Sequence, residues 1–145
     1  MKKTTEKKHS RKEPITPVQA FAEAHRFLKN AKETIAKSPI EHSRYQDTKY
    51  VREAAGIAYL SALRAMDAYL LKKGLRDDEL PKSYEGYWAA KRKYIPLNGK
   101  LRDYLTIVYE NLHIPAYYDG ASSVVVVKEG FAKCKLIIEM LEKLK

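Results

Sequence analysis

The sequence is short of several things at once. It holds a single cysteine, Cys134, so no internal disulfide can staple it. No uninterrupted apolar run approaches ~18 residues, which argues against a membrane-spanning helix. No zinc-ligand spacing, P-loop or glycine-rich phosphate fingerprint occurs, so neither a metal nor a cofactor is expected. The opening MKKTTEKKHSRKE is positively charged but lacks the apolar stretch of a signal peptide, and a cytoplasmic protein is the expectation.

What is present suits one packed domain. The chain has 145 residues, 45% hydrophobic and 32% charged, enough apolar material for a single core. Its formal charge is +10, yet six of its 28 Lys and Arg residues fall in the first thirteen positions. Residues 1–14 therefore read as a basic, disordered tail and 15–145 as one domain.

Five segments carry the helical period. Val18, Phe21, Ala22, His25, Leu28, Ala31 and Ile35 recur at three- and four-residue steps, with Thr16 as N-cap and Pro17 at the first position, so a helix is expected over 17–37. A second runs from an Asp47 cap to Lys73, where Gly74 supplies a left-handed end. Its middle, AAGIAYLSALRAMDAYLL, is apolar nearly all round, which places it centrally, and its alanines admit close neighbours. A short third helix is capped by Ser83 and stops at Ile95-Pro96; a fourth carries Leu101, Leu105, Val108 and Leu112 and stops before Pro115. AYYDGASS reads as a loop. Val124 to Val127 has strand propensity, but these valines continue a stripe through Phe131, Cys134, Ile138 and Leu141, so a helix is expected there too. The fold class is all-α: an antiparallel four- to five-helix bundle with up-down topology and no sheet. Cys134 lies on the apolar stripe and reads as a small buried hydrophobe.

Two stretches carry candidate chemistry. Residues 82–102 hold six cations and one acid, interleaved with Tyr84, Tyr87, Trp88 and Tyr94. Cations neutralise phosphates and rings stack on bases, so Lys82, Trp88, Lys91 and Arg92 are candidate nucleic-acid contacts. The alternative is that the rings pack on the core and the cations form the wet side. Glu110-x-x-His113 has the carboxylate–imidazole spacing of di-metal bundles, but the only second copy, Glu6-x-x-His9, sits in the tail, so no metal site is expected.

ENLHIPAYYDG, residues 110–120, places His113 near a helix end before two tyrosines and an aspartate. This resembles the HEPN family of small helical bundles, in which an arginine precedes a histidine by about five to seven positions on a late helix. The resemblance implies His113, Tyr117, Tyr118 and Asp119 as nucleotide- or RNA-binding residues, self-association as a homodimer, and pairing with a small nucleotidyltransferase. The chain departs from that pattern: Thr106, Ile107 and Val108 stand where the arginine belongs. The nearest upstream arginine, Arg102, is about 16 Å along the helix at 1.5 Å per residue. The main expectation is therefore a non-enzymatic binding or partner module. Its alternatives are a metal-independent ribonuclease using His113 with Arg102 from a second subunit, and a purely structural interaction bundle. His113 also admits a structural role, its charged form favoured by a helix C-terminus. Eleven tyrosines and one tryptophan are more than a small bundle readily buries, which also points to a two-fold interface.

Overall fold

The computed structural model describes residues 13–118 and 122–145. All of the expected tail but its last two residues lies outside them. Helix α1, Pro17–Ile35, starts with a reciprocal cap: the Gln19 amide donates to Thr16 Oγ1 and the Thr16 amide to Gln19 Oε1. It ends two residues before the expected position and leads to Ser38-Pro39.

A small hairpin follows, β1 (Ile40–Glu41) and β2 (Arg44–Tyr45), paired antiparallel. This corrects the expectation of no sheet. His42 and Ser43 both take positive φ, 52° and 62°, which is the backbone a two-residue hairpin turn requires. The hairpin is anchored rather than isolated: the Tyr45 amide donates to Ser122 O at 2.9 Å and the Val124 amide to Ser43 O at 3.0 Å.

Helix α2, Thr48–Lys72, is capped by Asp47 and is followed by Gly74 at φ 103°. Ala54, Ala55, Ala58, Ala62 and Ala65 are fully buried, so small side chains on several faces let neighbouring helices close around it. A 3-10 turn, Asp77–Glu79, leads to α3, Tyr84–Tyr94, capped by Ser83. Helix α4, Gly99–Val108, is capped by Asn98.

The chain then does something its sequence does not announce. Instead of stopping before Pro115, it continues as a π-helical segment, Tyr109–Tyr118, with Pro115 inside. In an α-helix a proline ring collides with the carbonyl four residues back; the wider turn pairs across five residues and moves that carbonyl away. Ala116, Tyr117 and Tyr118, expected in a loop, belong to this segment. Helix α5, Val124–Lys143, is capped by Ser123 and settles the valine run as helix.

The result is an all-α bundle with α2 at its centre, as the pattern implied. Met66, Leu70, Leu101, Leu112, Ile137, Ile138 and Leu141 are fully buried. Cys134 joins them with its Sγ 3.2 Å from Ala58 O, and burial pushes its thiol up to about 12. Among the described residues no helix is long and apolar enough to cross a membrane.

Candidate functional site

His113 projects from the π-helical segment onto α2. Its ring stacks on Tyr59, with centroids 4.4 Å apart and planes 23° apart, and lies 5.1 Å from the Tyr109 ring. Tyr109 in turn stacks on Tyr84 at 4.0 Å, and Tyr84 meets the edge of Trp88 at 6.1 Å. The basic helix and the histidine, separate stretches in the sequence, are thus joined by one run of rings across α2, α3 and the π-helical segment. Those rings spend faces on one another. The aromatic side of α3 is therefore packing first, and Arg92 and Lys93 lie on its solvated side.

Lys82 and Arg92 are exposed as expected, and Trp88 is half-buried. Lys91 is not available as expected. It is only 5% exposed and is the one buried residue of α3, its stem covered by the bundle, so it is withdrawn from a surface that would grip phosphates. Arg102 is exposed on α4 and pairs with Asp103 at 3.3 Å, remote from His113 within the chain. Asn111 donates to Val126 O at 3.0 Å and to Glu129 Oε1 at 2.9 Å, which pins the π-helical segment to α5. Of the turn after His113, Asp119 lies outside the described residues, and the side chains of Tyr117 and Tyr118 are likewise outside them.

Beside His113 an open cleft of about 340 Å³ is lined by Arg52, Glu53, Gly56, Tyr59 and Leu60 of α2. Arg52, Gly56 and Tyr59 share a helix stripe at four- and three-residue steps. Arg52 is the residue that sequence reasoning missed: a permanently charged, fork-shaped donor sharing a cleft with the histidine, from an element more than fifty residues earlier. Its only local signal is a cation at the head of a stripe on a helix whose middle is apolar nearly all round.

Burial lowers the His113 pKa below the usual imidazole value. The neutral ring is therefore the form present at pH 7, contrary to the charged ring that a helix C-terminus would favour. Because the folded value lies below the unfolded one, the associated stability is present above the unfolded pKa and is lost as pH falls through the folded pKa. The expected result is a urea midpoint that drops between about pH 7 and about pH 5, with a shallower drop in His113→Asn. Equal pH slopes in the two proteins would remove His113 as the cause.

The domain of unknown function DUF5618 matches residues 19–143, which spans the whole bundle. A solved structure, a protein of unknown function from Dyadobacter fermentans, is 35% identical, with a TM-score of 0.75 over 89% of this chain and 98% of that one. No curated protein matches.

Proposed function

The chain belongs to the DUF5618 family, whose description states no activity, and we propose on its own geometry that it is a binding module for a nucleotide, free or at the end of an RNA strand. The observation that carries this reading is that Arg52 and His113 line one cleft, with the His113 ring stacked on Tyr59. An arginine fork holds a phosphate through paired charge-assisted hydrogen bonds. The stacked His113 and Tyr59 rings give the cleft an aromatic wall, and Glu53 on the same rim accepts from a ribose hydroxyl or an exocyclic amine. The resemblance of 110–120 to HEPN bundles supports the same ligand class.

Titration of the full chain with fluorescent ATP analogues and a 5′-labelled oligoadenylate at low salt tests it. Arg52→Glu should weaken binding by at least about tenfold, since hydrogen bonds to charged groups are worth about 1.5–3 kcal/mol. Wild-type protein that binds neither probe, or Arg52→Glu that binds as wild type, would sink the reading.

A second reading has one specific support. Arg52 lines the same cleft as His113 and is a cation of the kind whose absence from residues 106–108 argues against cleavage, so a metal-independent ribonuclease could draw its cation from within one chain instead of taking Arg102 from a second subunit. His113-dependent cutting of the same oligonucleotide favours it over simple binding. Self-association is proposed from Leu60, 52% exposed on the cleft rim, and Ile114, 42% exposed next to His113. A nucleotidyltransferase partner rests on the resemblance alone.

A further inference from the structure

Helices α1 and α5 run antiparallel along one seam. At one end of it His25 Nε2 meets Glu142 Oε2 at 3.0 Å, the opposite-sign contact expected between surface helices. Two turns further along, the seam opens into a groove of about 440 Å³ whose rims carry only cations: Lys32 on α1, and Lys128 and Lys135 on α5. Among the described residues no carboxylate lines it, and none of the three lysines has an ion-pair partner. Like charges gathered on one groove repel through the solvent, and a single acidic residue on either rim would relieve that repulsion. A purely structural seam has no use for the arrangement.

The floor has the opposite character. Ile35 and Phe131 are buried beneath it, and Ala132, between the two α5 lysines, is too small to fill it. Tyr45 of the hairpin closes one end. Lys128 and Lys135 are seven residues apart on one face, about 10.5 Å at 1.5 Å per residue. The space is within the roughly 300–1,000 Å³ range of small-ligand sites.

We propose that this groove is a second binding site, for a small anionic amphiphile of the alkyl-phosphate or long-chain carboxylate kind, its apolar body on the Phe131–Ala132 floor and its anionic head among the lysines. A nucleic-acid strand fits less well: it would satisfy the cations but leave the apolar floor without a partner. The site shares no residue with the Arg52–His113 cleft, so it stands or falls independently of the nucleotide reading.

The test is calorimetric titration of the full chain with monomeric decyl phosphate, below its micelle concentration. The expected result is one molecule bound per chain, with inorganic phosphate and decanol each at least about tenfold weaker, because each satisfies only half of the site. Lys128→Glu/Lys135→Glu should weaken decyl phosphate by about tenfold or more, while Lys93→Glu/Lys100→Glu, equal in charge change but elsewhere on the surface, and Arg52→Glu leave it unchanged. Ala132→Trp should block decyl phosphate without altering the weak response to inorganic phosphate, and circular dichroism should show each variant folded. Four outcomes overturn the proposal: no binding, binding indifferent to the α5 lysines, equal affinity for inorganic phosphate, or binding only to phosphatidylglycerol vesicles and not to the monomer. Single-stranded RNA that requires Lys128 and Lys135 where decyl phosphate fails would likewise assign the groove to nucleic acid instead.

Discussion

Replacing Gly130 with alanine will destabilise the protein, although the same change stabilises most helices. Gly130 is buried in α5 against the π-helical segment, and a Cβ built on it lies 2.5 Å from Leu112 Cγ and 2.6 Å from Cδ2. Cγ is the branch point of the leucine, one bond from its own Cβ, and the side chain is fully buried. It cannot swing aside without disturbing the backbone or its other neighbours. Helix propensity favours alanine by about 1 kcal/mol. Overpacking a filled core costs about 1–3 kcal/mol, and an overlap this deep belongs at the top of that range or beyond it. The overlap wins, and the expected net loss is about 2 kcal/mol by urea denaturation. Gly130→Val should cost more. Leu112→Ala alone should cost about 2–5 kcal/mol, but in combination with Gly130→Ala the two losses should fall well short of their sum, because the smaller residue at 112 makes room for the new methyl. Additive losses would mean that Leu112 is not the obstacle.

That contact also shows where the sequence is readable and where it is not. Caps at Thr16, Asp47 and Ser83, and the left-handed Gly74, are local chemistry, and each is where a neighbour or two in sequence implied it. The valine run resolved as helix because its stripe continued for four more turns. The π-helical winding through Pro115 was not legible, since proline normally ends a helix. What holds it is tertiary: Asn111 bonded to α5 and Leu112 lying over Gly130. The hairpin was missed for a related reason. His42-Ser43 is not an obvious turn pair, and its partner strand end lies next to Ser122, some eighty residues on.

The candidate site divides in the same way. His113 stood out because its motif is local. Arg52 did not, because nothing near it in sequence mentions a histidine sixty residues later. Lys91 misled for a third reason: charge in a sequence says nothing about which side of a short helix the fold covers, and here the fold covers that one. The three- and four-residue steps Tyr84, Tyr87, Trp88 and Lys91 put the lysine on the ring side of α3, and that side is the packed one.

Removing Arg64 should be the most costly change to a polar residue in the bundle. Its Nε donates to Glu23 Oε1 at 2.8 Å and its Nη1 to Asp67 Oδ2 at 3.0 Å, while the Tyr87 hydroxyl donates to Asp67 Oδ1 at 2.9 Å. One network thereby ties α1, α2 and α3. Burial raises the Asp67 pKa, and the hydrogen bonds from Tyr87 and Arg64 only partly oppose it. With a folded value above the unfolded one, Asp67 contributes stability fully below its unfolded pKa and loses it as pH rises through the folded pKa, where the ionised carboxylate must be kept in the core. Arg64→Met leaves that carboxylate with Tyr87 alone. Breaking a buried pair costs about 3–5 kcal/mol, and the lower end applies because the Arg64 side chain is 23% exposed. The loss relative to wild type should therefore be about 3 kcal/mol at neutral pH and should shrink on acidification, as Asp67 takes up the proton that removes its unpaired charge. Adding Asp67→Asn should restore most of the loss at neutral pH, since the amide oxygen still accepts from Tyr87 and no charge remains to be buried. Urea titrations of the three proteins at two pH values measure all of this. A deficit in Arg64→Met that is the same at both, or that Asp67→Asn deepens, would show that the arginine acts through packing or through Glu23 and not by neutralising Asp67.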